Sequence, residues 1–133
     1  MDIAKRNNQN PILTPKDFKP AIEGMEIACL LNPGVFKLNG KIGLIIRVAE
    51  RPKQQEKRIS FPVYTNDGFK VMKFSKDDPQ LDLSDPRVIK YKGQNYLTTL
   101  SYLRLAFSED GIHFKEDPSF PPVFSSRQSE SFG

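Results

Sequence analysis

Asn32-Pro33-Gly34-Val35-Phe36-Lys37-Leu38-Asn39-Gly40 returns 53 residues later as Asp85-Pro86-Arg87-Val88-Ile89-Lys90-Tyr91-Lys92-Gly93. Pro, Val, Lys and Gly recur identically, and Phe/Ile and Leu/Tyr are conservative exchanges. A shorter match, Tyr64-Thr65-Asn66-Asp67-Gly68 against Phe107-Ser108-Glu109-Asp110-Gly111, follows at an offset of 43. Self-similarity at such a period is the signature of solenoids, propellers and arrays.

Around these phrases the chain reads as four hairpins. Lys41–Val48 follows Gly34–Leu38 across Asn39-Gly40, the dipeptide whose positive φ angles suit a tight type I′ turn. Ile59–Thr65 and Phe69–Phe74 flank Asn66-Asp67-Gly68. Arg87–Tyr91 and Asn95–Ser101 flank Lys92-Gly93-Gln94. Leu103–Ser108 and Ile112–Lys115 flank Glu109-Asp110-Gly111. The segment Leu97–Phe107 could be scanned as a helix, but Thr98, Thr99, Tyr102 and Phe107 favour strand.

The expected fold is therefore all-β: two four-stranded meanders resembling β-propeller blades, with a β-sandwich as the plainer alternative. Residues 1–26 form an N-terminal arm in this reading, 27–76 the first blade-like repeat, and 77–133 the second with a C-terminal extension. Pro11, Pro15 and Pro20 exclude a long helix from the arm, because proline lacks an amide donor and biases its neighbour toward extended backbone.

Composition narrows the functional classes. With 38% hydrophobic and 27% charged residues the chain has the balance of a folded domain. No apolar run is long enough to span a bilayer, and Met1–Arg6 does not read as a signal peptide. The net charge of +4 comes from scattered basic residues. The densest run, Arg51–Arg58, is broken by Pro52 and Glu56 and reads as a solvated loop, not a nucleic-acid patch. The lone Cys29 cannot form an internal disulfide and reads as an inert, buried thiol, in keeping with a cytoplasmic setting.

Metal binding is not expected, since one His and one Cys far apart make no zinc site. The acidic stretch from Asp77 to Asp85 lacks calcium-loop spacing and reads as a solvated linker. No phosphate loop or nucleophilic triad is visible, and His113 reads as a structural histidine in a strand. Asn32 and Asp85 occupy equivalent places in the repeat. At the start of the first strand of each blade, both side chains could face a common ligand. Arg47 and Arg104 each interrupt an apolar run. An arginine cannot shed its charge, so each must either pair with a carboxylate or face a ligand.

Three phrases together resemble glycoside hydrolase family 130. They are Asn10-Pro11-Ile12-Leu13, Leu31–Val35 with Gly40–Arg47, and Leu103–Phe114. The closing Glu130-Ser131-Phe132-Gly133 resembles the lead-in to a further marker. The resemblance implies part of a five-bladed β-propeller acting on β-mannosides, either as phosphorylase or as inverting β-1,2-mannosidase. Asn32 and Arg47 would then contact the mannosyl ring, and Arg104 a sugar or anion. The family's acid would fall just past Gly133; Asp85 is the only imitation of it upstream. No cofactor is implied, although inorganic phosphate is the co-substrate of a phosphorylase. The segment between Arg47 and Arg104 resembles mannosidase-like members and tilts the expectation toward hydrolysis. Two blades cannot close a ring, so their open edges would invite self-association. Competing readings are a non-catalytic carbohydrate-binding remnant and an unrelated all-β interaction domain.

Overall fold

A proline in the middle of one strand governs how the strands are shared out. In the computed structural model, which describes residues 4–124, nine strands follow a single 3-10 turn at Pro15–Asp17. They are β1 (Met25–Leu38), β2 (Lys41–Pro52), β3 (Arg58–Thr65), β4 (Gly68–Ser75), β5 (Leu81–Asp85), β6 (Val88–Tyr91), β7 (Gln94–Leu97), β8 (Leu100–Ser108) and β9 (Lys115–Glu116). The Glu130–Gly133 phrase lies outside the described residues.

The strands do not form two consecutive meanders. The four-stranded sheet has the order β1-β2-β8-β9, while β3-β4 and β5-β6-β7 form separate sheets. Pro62, fully buried and opposite Val71, removes an amide donor from the middle of β3. A strand so interrupted belongs at an edge, and β3 pairs with β4 alone. β2 instead finds β8, in continuous register from Ile42↔Ser108 to Glu50↔Leu100. The pairing thus crosses the expected boundary near residue 76.

The opening repeat survives as a hairpin motif. Asn39 and Gly40 turn β1 into β2 with φ of 50° and 78°; Lys92 and Gly93 turn β6 into β7 with φ of 50° and 77°. Both copies therefore encode the same kind of turn, in sheets of different size. The fourth expected hairpin is looser. Asp110 Oδ1 accepts the amides of Ile112 and His113 at 2.8 Å each. Those residues are drawn out of the ladder, and pairing resumes only at Phe107↔Lys115. His113 is thus an exposed loop residue, not a strand residue.

Alternation sorts the main sheet into two faces. Leu44, Ile46 and Val48 of β2, with Tyr102 and Ala106 of β8, point to one side and bury Phe18 of the arm. The excursion between β2 and β8 builds its own core. Phe61, Val63 and Ile89 are buried there, and the Phe61 ring lies 4.9 Å from Tyr96 and 5.4 Å from Phe74. Among the described residues no helix is long and apolar enough to cross a membrane.

Gly43 has a steric role. A Cβ built there would lie 2.2 Å from the tip of the Phe36 ring, which covers the bare backbone from the opposite register position. Gly43→Ala is expected to cost about 1–3 kcal/mol by forcing that ring aside. Denaturant unfolding of Gly43→Ala with and without Phe36→Ala checks this: the cost should shrink once the ring is gone. An equal cost in both backgrounds would show that the ring is not the obstacle.

Candidate functional site

The register separates the two arginines that the sequence singles out. Arg47 lies opposite Leu31 on β1 and Leu103 on β8. Directly paired residues share a face of a sheet, and neighbours along a strand alternate. Arg104, next to Leu103, therefore belongs to the other face, opposite Ile46. The two guanidinium groups cannot meet at one ligand on either face.

Arg104 is committed within the chain. It is buried, at 7% exposure. Its Nε and Nη2 donate to Glu116 Oε1 and Oε2, the latter at 2.7 Å, as a bidentate pair. Nη1 donates to the Lys19 carbonyl and, at 3.3 Å, to the Tyr102 hydroxyl oxygen. The guanidinium also stands 5.2 Å over the Phe18 ring. Of the two fates open to it in sequence, pairing with a carboxylate is the one observed.

Glu50 completes this network. It is fully buried near the end of β2. Its Oε1 accepts the Tyr102 hydroxyl and, at 2.6 Å, the Ala21 amide. Its Oε2 finds no partner among the described residues, a cost borne by the fold. Burial first, and then the Glu50 carboxylate, push the Tyr102 hydroxyl pKa upward, so it stays a donor. Sequence reasoning missed Glu50, Tyr102 and Glu116. The available signal for Glu50 was its spacing: an acid in phase with Leu44, Ile46 and Val48 must be buried with them.

Arg47 occupies the outward face, half-buried, with Ser101 Oγ accepting from its Nη2 at 3.3 Å. Asn32 sits beside it in register, in the bulge between Leu31 and Gly34. Its φ of 42° is in the left-handed region that Asn tolerates better than most residues. The bulge bends β1 and leaves Asn32 exposed next to the position facing Arg47. The register thus places Asn32 one residue along β1 from Leu31, the residue paired with Arg47. Cys29, on the same phase as Leu31, is only half-buried.

Asp85 is elsewhere, at the end of β5 in the three-stranded sheet. Its Oδ1 accepts the Arg87 amide at 2.8 Å, and its carboxylate meets the Arg87 guanidinium at 3.4 Å. The Arg87 amide first, and then its side chain, hold the Asp85 pKa below the usual range. A glycosidic acid needs the reverse, a raised pKa that keeps its proton. The geometry is that of a turn brace.

Asp110 braces the β8–β9 loop in the same manner. Besides the two amides, it accepts from Ser108 Oγ at 2.9 Å, and its Oδ2 lies 2.6 Å from His113 Nδ1. His113 chiefly, then these amides and Ser108, hold the Asp110 carboxyl well below its ordinary value. Among the described residues no group of three or more His, Cys, Asp or Glu side chains is arranged to hold a metal ion.

No family model matches the chain. A β-1,2-mannobiose phosphorylase of Listeria innocua serovar 6a is 40% identical over 135 residues, covering 96% of this chain and 38% of that enzyme. The solved structure of a Listeria innocua β-1,2-mannobiose phosphorylase in complex with β-1,2-mannobiose superposes with a TM-score of 0.77. It shares 39% identity over 96% of this chain and 38% of its own. The chain thus spans a little over a third of the relative it matches.

Two outcomes test the assignments made from geometry. Arg104→Met should destabilise the fold by about 3–5 kcal/mol, because it strands Glu116 and the Lys19 carbonyl. It should also open residues 14–24 to limited proteolysis; an arm that stays protected would refute the clasp. Asp110, whose folded pKa is depressed, contributes stability that is present above its unfolded value, near 3.8, and lost as pH falls through the folded one. Asp110→Asn should accordingly flatten the acid limb of a stability–pH curve below about pH 4.

Proposed function

Since the chain belongs with this phosphorylase to glycoside hydrolase family 130, we propose that its four-stranded sheet carries part of a mannosyl-binding site. Asn32 and Arg47 are its contacts, and the sheet forms one blade of a β-propeller. The observation that supports this reading is that Asn32 adjoins, in the strand register, the residue paired with Arg47. Asn offers both a donor and an acceptor to sugar hydroxyls, and the guanidinium adds fixed donors.

The reaction is transfer of the mannosyl group of a β-mannoside to inorganic phosphate. Phosphate oxygen bonds to the anomeric carbon from the face opposite the leaving oxygen. The bond to that oxygen breaks, and a general acid supplies its proton. Hydrolysis, suggested by the segment between Arg47 and Arg104, gives way here, because the relative that matches across that same segment is a phosphorylase. Asp85 has the lowered pKa of a turn brace, which supports placing the acid outside the described residues. Arg104, spent on Glu116 and Lys19, is left out of the sugar site. A cytoplasmic setting is part of the same proposal.

Calorimetric titration of the protein with β-1,2-mannobiose tests the site. Arg47→Ala and Asn32→Ala are expected to weaken binding about tenfold or more, the worth of a polar contact to a charged or multiply bonded group. Asp85→Asn should leave binding unchanged. Where turnover occurs, mannose phosphate should form only with added phosphate; free mannose formed without it would establish hydrolysis instead. Absence of binding by the unsubstituted protein would remove the sugar reading altogether.

A further inference from the structure

We infer that Gln54 closes the free edge of β3: its side-chain amide stands in for a partner strand and keeps that edge from pairing with a second copy of the chain. An open strand edge offers unpaired N–H and C=O groups to any strand that reaches it. β3 pairs with β4 on one side only, in register from Arg58↔Ser75 to Thr65↔Gly68 without a bulge. In an antiparallel pair, alternate residues turn both backbone groups toward the partner, and the residues between turn theirs away. The hydrogen bonds of Ser60 show which set is which. Its amide donates to Gln54 Oε1 at 2.9 Å, and its carbonyl accepts from Gln54 Nε2 at 2.8 Å. Ser60 therefore turns its backbone groups away from β4, and by the same period so do Arg58, Pro62 and Tyr64.

A side-chain amide carries the donor and the acceptor of a peptide group. Gln54 exchanges both with Ser60, as a residue of a neighbouring strand would. Two residues further along, Pro62 has no N–H to offer. A proline at this position costs the pairing with β4 no hydrogen bond, which explains how β3 carries one at its centre. Successive outward positions are thus closed by different means. Gln54 is itself held in place. Its Nε2 also donates to the carbonyl of Pro52 at 3.1 Å, and the neighbouring Lys53 amide donates to the Gly24 carbonyl at 3.1 Å. Gln54 is exposed while Ser60 is fully buried, so solvent meets the side chain there and not the strand edge. Arg58 and Tyr64, the outward residues on either side, remain exposed.

The test follows Gln54→Ala by amide hydrogen exchange and by sedimentation velocity over a range of protein concentration. In dilute solution the Ser60 amide should exchange at least about tenfold faster than in the unsubstituted protein, with Phe61 and Val63 as protected as before. The dimer association constant should rise about tenfold or more, the worth of the backbone groups released, and protection of Ser60 should return as the protein is concentrated. Adding Tyr64→Pro, which removes the next outward N–H, should bring the association constant back to that of the unsubstituted protein. Association that survives Tyr64→Pro does not use this edge and overturns the proposal. Unchanged exchange at Ser60 overturns it too, as does faster exchange with no gain in association. Loss of protection at Phe61 and Val63 as well would make Gln54 a strut of the hairpin and not the guard of its edge.

Discussion

A guanidinium and a carboxylate buried on the same face of one sheet are the constraint on which the rest of this structure depends. Arg104 and Glu50 cannot sit among Ile46, Val48 and Phe18 without partners, because an isolated buried charge costs several kcal/mol even after relaxation. Glu116 supplies one partner from the neighbouring strand. The arm supplies the others, a carbonyl at Lys19 and an amide at Ala21. The arm is thereby bound to the sheet by backbone groups, and the apolar contact of Phe18 follows from its being held there. Tyr102, donating to Glu50 and accepting from Arg104, ties the two charges into one network.

The same constraint clears the opposite face. Once the inward phase of β2 and β8 is filled by core and clasp, the outward phase is left with Leu31, Ile45 and Leu103 around Arg47. Two arginines that look alike in sequence, each set in an apolar run, are separated by strand alternation into unlike roles. Arg104 is a structural cation whose donors are spent. Arg47 stays half-buried on the other face, next in register to the Asn32 bulge. In the proposed reading, the likeness to a mannobiose phosphorylase gives that second arrangement its chemical meaning, and strand alternation keeps Arg104 out of it.

What the sequence made legible was local. Asn39-Gly40 and Lys92-Gly93 announce their turns because the φ angles required there suit few residues, and the repeated phrase marks two real hairpins. Strand order was not legible, since it depends on β2 choosing between β3 and a strand some fifty residues further on. Periodicity cannot rank such partners. Pro62 was the clue available, and it argues against β3 as a central strand whatever lies beyond it. The fate of Arg104 was hidden for a related reason. Glu116 becomes its neighbour only through the β8–β9 register, and that register is set by how many residues Asp110 withdraws into its loop. Asn32 and Arg47 were singled out through resemblance, whereas the bulge that holds Asn32 depends on the pairing of β1.

The excursion between β2 and β8 leaves the main sheet and returns to it at adjacent strands, with a core of its own in between. A chain segment arranged in this way behaves as a closed loop whose length matters little, because closure entropy grows only as the logarithm of the number of residues. Its hairpin and meander contacts are short-range and form early, while the β2–β8 pairing is long-range and slow. On that ordering, collapse of the excursion around Phe61 and Ile89 would draw Pro52 and Leu100 toward each other ahead of the main sheet. Assembly of the sheet that holds Arg47 would then depend on residues of a separate core.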